Sequence, residues 1–263
     1  MEQIPPAFVI NLDRSPERLA IVRARFAPTG IELTRFRGID AAVHTERIAA
    51  SVDQARFEAY MHRPATPGEV GCALSHFALW DKLAESDAEA FLILEDDAAP
   101  AEHFPAIADV LDALPDDWEL CLLSSVGRMP LWSGRAGAVT VHRYWRPDYI
   151  GAGYLVHRRI LRHRHAWPPQ GRLPFMFDAW RYWAWRYGIA IYAAVPMPIL
   201  QDTGVESTID RSGDGRVKRR RGLVASMRSH VIRFGLYPRG IWYGARAWWR
   251  LRVRKPGKGA RQG

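Results

Sequence analysis

Phe91-Leu92-Ile93-Leu94-Glu95-Asp96-Asp97 is the stretch on which the fold turns. Four apolar residues stop abruptly on three carboxylates, the pattern of a strand buried on both faces whose C-terminal end opens onto a polar site. Three adjacent acids at such a strand end repel one another and face desolvation, which a hard divalent cation would relieve. Alternate residues of an extended chain share a face, so Glu95 and Asp97 point one way and Asp96 the other. That offers a two-carboxylate grip for Mg2+ or Mn2+, with phosphate oxygens and water as further ligands. The same triplet also reads as a solvated acidic turn ahead of the next helix, and taken alone it leaves both readings open.

Working outward, Val70, Leu74, Phe77, Trp80 and Ala84 recur at helical spacing behind Thr66-Pro67-Gly68-Glu69, a capping box with Pro at the first helical position. This predicts a helix ending near Ser86. Residues 7–12 (AFVINL) predict a strand, Ser15-Pro16 the start of a helix running to about Phe26, and residues 33–38 a second strand ending at Ile39-Asp40-Ala41. Beyond the acidic triplet, residues 100–114 predict a helix, and residues 118–123, 151–156 and 189–195 predict strands. Strands alternating with helices define an α/β domain with a mostly parallel central sheet flanked by helices, in which ligands bind beyond the strands' C-terminal ends. Gly151-x-Gly153 is too short for a nucleotide fingerprint and reads as a close-packed strand or turn. The aromatic run Trp180, Tyr182, Trp183, Trp185 and Tyr187 reads mainly as core.

The charge is unevenly spread. The 263 residues carry 37 Lys+Arg and 28 Asp+Glu, a net of +9, yet residues 211–263 hold 16 of the bases and one acid, Asp214. The preceding body is therefore mildly acidic, at 21 − 27 = −6, and the tail is +15. We expect two regions, a domain over 1–210 and a basic aromatic tail over 211–263, helical or partly disordered. Lys218-Arg219-Arg220-Arg221 followed by Phe234, Tyr237, Trp242, Tyr243, Trp248 and Trp249 interleaved with arginines suits an anionic membrane surface. A solvated extension is the plainer reading, and nucleic acid is the disfavoured one. Cys72 and Cys121 lack the spacing of a disulfide framework or a zinc site, and with no secretory leader or spanning segment in evidence the expected location is cytoplasmic, peripheral on the inner membrane face.

FVINLDRSPER (residues 8–18), RFRGIDA (35–41), GEVGCALSHFALW (68–80), LILEDDA (92–98) and QDTGVESTI (201–209) occur in an order that resembles glycosyltransferase family 25, the lipopolysaccharide galactosyltransferases and their collagen-modifying relatives. The resemblance spans about residues 7–210. It implies a GT-A fold and a glycosyltransferase that moves a hexose, galactose from UDP-galactose, onto a lipid-linked glycan with inversion, a divalent metal gripping the diphosphate. On these motifs Glu95, Asp96 and Asp97 correspond to the acidic metal motif. Glu-Asp-Asp stands where many GT-A enzymes have Asp-x-Asp, so which acids ligate stays open. Asn11, Leu12, Arg14 and Arg18 correspond to the nucleotide-holding segment, Asp40 to a ribose or uracil contact, Ser75 and His76 to donor contacts, and Glu206 and Ser207 to the diphosphate site. Asp178 corresponds to the acid before a late helix and is the candidate catalytic base, with Asp97 beside the metal. A metal-dependent nucleotidyl or phosphoryl transferase, and a catalytically silent membrane- or nucleic-acid-binding member of the fold, are the alternatives.

Overall fold

β3 (Ala90–Glu95) is the strand expected from the apolar run, and Phe91 through Leu94 are shielded from solvent on both faces. The computed structural model describes residues 4–102, 104, 107–148, 151–202 and 234–253. β1 (Ala7–Asn11) lies parallel beside β3, and β2 (Leu33–Arg37) lies parallel beside β1. The two are joined through α1 (Pro16–Phe26), which starts on Pro16 and turns Val22 and Phe26 toward the sheet. This is the β-α-β unit read from the sequence.

The polar stretch after β2 forms α2 (Thr45–Ala50) and α3 (Gln54–Met61), two short helices not foreseen. α4 (Pro67–Ala84) opens on the expected capping box: Glu69 N donates to Thr66 Oγ1, and the Glu69 carboxylate accepts from Thr66 N. Its apolar stripe buries Leu74, Phe77, Trp80 and Leu83. After β3 the chain departs from expectation. In place of the helix expected over residues 100–114 stands the shorter α5 (Ile107–Ala113), preceded by β4 (Ala98–Pro100), and β5 spans only Leu120–Leu122. β6 (Gly127–Ala136) and β7 (Val139–Pro147) form a long hairpin that the alternation rule missed. β8 (Gly153–His157), a 3-10 segment over Arg158–Ala166, α6 (Trp180–Tyr187), β9 (Ile191–Val195), β10 (Ile199–Gln201) and α7 (Tyr237–Val253) follow.

Eight of these strands form one sheet in the order β2-β1-β3-β8-β5-β9-β7-β6, while β10 pairs separately with β4. Six of the eight run in one direction, and β8 and β7 run against them. The sheet is thus mixed and mostly parallel, flanked by helices on both faces. One face carries α4 and α6 with Phe77, Trp80, Trp167, Phe177 and Trp183; the other carries α1 and α5 with Val22, Phe26, Ile107 and Val110. Trp180, Tyr182, Trp183 and Trp185 are core residues, as the default reading held. Gly153 is close-packed within β8, where an added Cβ would fall 2.4 Å from Ile199 Cδ1.

The far part of the basic tail packs on the body. α7 buries Gly240, Tyr243 and Ala247, one helical stripe, with Leu236 just ahead of it. Arg143 on β7 donates from Nε to Tyr243 Oη at 3.2 Å and lies over the same ring, and Trp145 Nε1 donates to Gly240 O at 2.7 Å. A division of the chain at residue 210 therefore does not separate this helix from the sheet. Tyr243→Ala removes both the buried ring and the partner of Arg143, at about 2–4 kcal/mol of docking energy. Hydrogen exchange across 234–253 is expected to accelerate while β1, β3 and β8 stay protected; unchanged exchange would show that the helix is held elsewhere.

Candidate active site

The acidic triplet divides between two sides, with Glu95 at the end of β3 and Asp96 and Asp97 in the turn that follows. Asp96 turns toward α1, where Asn11 Nδ2 donates to Oδ2 at 2.8 Å and Arg18 donates to Oδ1 from Nε at 2.8 Å and from its terminal nitrogen. Asn11, Arg18 and Asp96 are all buried. The same Asn11 amide donates to Ser15 O at 2.8 Å, and its oxygen accepts from Arg35 Nε at 3.2 Å. Residues expected to hold nucleotide and metal thus form an internal ion-pair network that ties β1, α1 and β3 together. A buried guanidinium needs a buried carboxylate, and Asp96 is the acid on that face.

At the rim beside this network Arg14 Nε donates to Asp40 Oδ2 at 2.9 Å, and Asp13 accepts from Arg35 and Arg37, each at 2.6 Å. Half-buried Leu12 lies against Gly38, where a Cβ would fall 3.0 Å from Leu12 Cδ2. Ser75 Oγ accepts from Ile39 N and donates to Gly71 O, both at 2.8 Å. It pins the loop after β2 onto α4 instead of facing a ligand. Gly71 allows the contact, because a Cβ there would fall 2.7 Å from Ile39 O.

Glu95 and Asp97 face the cleft. Asp97 Oδ2 accepts from Gln201 Nε2 at 3.0 Å, while Oδ1 is buried with no hydrogen-bond partner among the described residues. Burial first and the Glu95 charge second push the Asp97 carboxyl up to about 6. Gly151 lies beside both Glu95 and Asp178: an added Cβ would fall 3.4 Å from Glu95 Oε1 and 3.7 Å from Asp178 Cβ. Asp178, half-buried, directly precedes Ala179, the N-cap of α6, so it is not the cap itself. His76 is fully buried on α4. It stacks on Phe177 at 4.1 Å, its Nδ1 lies 2.9 Å from Tyr154 Oη, and its Nε2 lies 3.4 Å from Glu95 Oε1. Burial, then Glu95, Asp178 and Asp97 in turn, hold the Cys72 thiol well above its usual range. Three carboxylates therefore converge from β3, the turn after it and the segment before α6. Cys72, Gly151, Tyr154 and Gln201 belong to this cluster and were missed; Cys72-x-x-x-His76 on a predicted helix was the readable signal. Glu206, Ser207 and Lys218 through Arg221 lie outside the described residues.

Fold and geometry together define an α/β protein with a cluster of carboxylates near the end of β3. The chain belongs to glycosyltransferase family 25: the family model described as "Glycosyltransferase family 25 (LPS biosynthesis protein)" matches residues 4–136. It is similar to a "Glycosyltransferase 25 family member" of Aedes aegypti, 33% identical over 110 residues, 40% of this chain and 18% of that protein. It is also similar to human "Procollagen galactosyltransferase 2", 30% identical over 121 residues, 43% of this chain and 19% of that protein. The matched stretch is thus less than a fifth of either relative. A solved glycosyltransferase involved in glycosylating the major capsid of PBCV-1 aligns over 77% of this chain and 95% of its own, with 10% identity and a TM-score of 0.36.

Asp97 provides the test of this electrostatic arrangement. Burial raises its folded-state value above the ordinary 3.8, so its contribution to the stability of the metal-free protein becomes unfavourable as pH rises from about 4 to about 6 and stays so above that. Asp97→Asn is expected to stabilise the metal-free protein by about 1–2 kcal/mol at pH 7, with no gain near pH 3.5. Urea denaturation at the two pH values measures this, and equal stability of both proteins at pH 7 would contradict it.

Proposed function

We propose that the protein is a metal-assisted hexosyltransferase that moves galactose from UDP-galactose onto lipopolysaccharide or another lipid-linked glycan, with inversion. The observation that carries the reading is the convergence of Glu95, Asp97 and Asp178 at the strand ends, with one Asp97 oxygen buried and unbonded. Opposed carboxylates with an orphan oxygen suit a hard cation, so Glu95 and Asp97 would hold Mn2+ or Mg2+. When bound, such an ion neutralises charge developing on a diphosphate leaving group.

The chain's own groups supply the rest. Asp178, beside Gly151, would accept the proton of an acceptor hydroxyl as its oxygen bonds to the anomeric carbon and the carbon–diphosphate bond breaks. Gln201 holds Asp97 in orientation. The Arg14–Asp40 pair, exposed on the arginine side, would open to phosphate and ribose. The family's description and the name of the human relative support hexosyl transfer and galactose. With Mn2+ and a panel of nucleotide-sugars, UDP-hexose turnover is expected to fall at least 100-fold in Asp97→Ala and in Asp178→Asn. NTP turnover would favour the nucleotidyl transferase alternative, and absence of turnover with every donor would favour the silent member.

The lipid-linked acceptor rests on α7. Opposite its buried stripe, Phe234, Tyr237, Ile241, Trp242, Trp248 and Trp249 are exposed and fall within about a 140° arc at 100° per residue, with Arg239, Arg246 and Arg250 along one flank. No helix among the described residues is long and apolar enough to cross a membrane. Aromatic rings beside arginines suit the headgroup layer of an anionic leaflet, which supports a peripheral location on the cytoplasmic face. The paired change Trp242→Ala/Trp249→Ala touches only the outer face. It is expected to weaken sedimentation with phosphatidylserine vesicles at least tenfold and leave turnover of a soluble acceptor unchanged. Unaltered vesicle binding would remove the membrane assignment.

A further inference from the structure

One group in the cleft has no task in this reaction. His76 is wholly buried, and its Nε2 has no hydrogen-bond partner among the described residues although Glu95 Oε1 lies 3.4 Å away. Its other ring nitrogen is held: Nδ1 lies 2.9 Å from Tyr154 Oη, which Trp80 Nε1 in turn contacts at 3.1 Å. In the tautomer protonated at Nδ1, the ring donates to Tyr154 and aims a bare lone pair at the space beside Glu95. Cys72 stands one turn earlier on the same face of α4, and ligand atoms of Cys72, His76 and Glu95 all lie within 4.8 Å of one another.

We propose that Cys72, His76 and Glu95 form a site for a thiophilic divalent cation of the Zn2+ class, distinct in chemistry from the hard-cation pair Glu95 and Asp97 and exclusive with it through Glu95. Zn2+ takes sulfur at about 2.3 Å and nitrogen or oxygen at about 2.0–2.2 Å, which places tetrahedral ligands roughly 3.5 Å apart. The ligand atoms, now within 4.8 Å of one another, would draw in by about an ångström on binding. Three protein ligands leave a fourth position open to water, the pattern of an accessible zinc site. The Tyr154 contact supplies the outer hydrogen bond that metal-binding histidines ordinarily make. A thiol among carboxylates is a poor thiolate alone, and a divalent cation reverses that balance. Binding releases the Cys72 proton to solvent, one per metal. Thiolate and imidazole select Zn2+ over Mg2+ and Mn2+, so the two sites choose different ions.

Titrating the metal-stripped full-length chain with Co2+ as a spectroscopic stand-in tests the site directly. The expected result is a near-ultraviolet thiolate-to-cobalt charge-transfer band with intense four-coordinate visible bands, removed by Zn2+. Cys72→Ser is expected to abolish the charge-transfer band and Asp97→Asn to keep it. Tyr154→Phe should weaken Zn2+ binding about tenfold or more in chelator competition. No charge-transfer band at saturating Co2+ overturns the proposal, and so does a band that survives Cys72→Ser. A second consequence rests on the transferase reading above: Zn2+ should inhibit Mn2+-supported turnover, and Cys72→Ser should need at least tenfold more Zn2+ for the same inhibition. Because the cobalt spectrum requires no turnover, failure of the metal site and failure of the transferase reading are distinguishable.

Discussion

The buried ion pair between Arg18 and Asp96, with Asn11 completing it, is the constraint on which the site depends. Neither charge could remain at its position without the other, because an unpaired buried charge costs several kcal/mol. The pair joins the first turns of α1 to the end of β3, and Asn11 draws in the end of β1. With Asp96 held toward α1, Glu95 at the strand end and Asp97 in the turn after it are left on the cleft side. The orientation of the two candidate metal-binding carboxylates is thus set by an acid that itself faces away from the cleft.

Around that fixed point the molecule places its polar groups by a common rule. Residues bonded on all sides serve as framework: Ser75 between Ile39 N and Gly71 O, and Asn11 among Ser15, Arg35 and Asp96. Asp97 Oδ1 and His76 Nε2, buried without a hydrogen-bond partner among the described residues, both stand at the cleft, while Arg25, Ser125 and Trp167 carry other such atoms. A buried polar atom without a partner is costly, and at the cleft two of them share one cluster with Glu95, which is where a ligand would relieve them. This separates framework from site more sharply than membership of a motif does, since Ser75 and His76 are adjacent in one motif and serve different ends.

The C-terminal helix extends the same economy of faces. Its Gly240, Tyr243 and Ala247 stripe seats it against Trp145, Trp185 and Arg143, while its opposite face exposes tryptophans. A helix with one apolar face buried in its own protein and a second left to solvent would, on the proposed reading, connect the sheet to the surface that meets that second face. The rigid seat matters to the proposed role, because it would fix the height and tilt of the strand ends above a membrane.

Much of this was legible along the chain. The Thr66–Glu69 capping box, Pro16 as a helix start, and the apolar run closing on Glu95 each rest on contacts between near neighbours, which local chemistry specifies. Five motifs in order carried the family, and the alternation of Glu95, Asp96 and Asp97 carried their opposed faces. Other features required the folded molecule. The sequence holds no record of strand direction, so the antiparallel course of β8 and the β6–β7 hairpin went unread, and β8 is the strand that brings Tyr154 to His76. Arg18 and Asn11 were read as ligand contacts because their partner, Asp96, is far along the chain; only packing of β1 against β3 makes the three one network. The nearness of Cys72, His76 and Glu95 has the same origin. Spacing along a helix determined that Cys72 and His76 share a face, and the crossing of α4 over the end of β3 decided what that face meets.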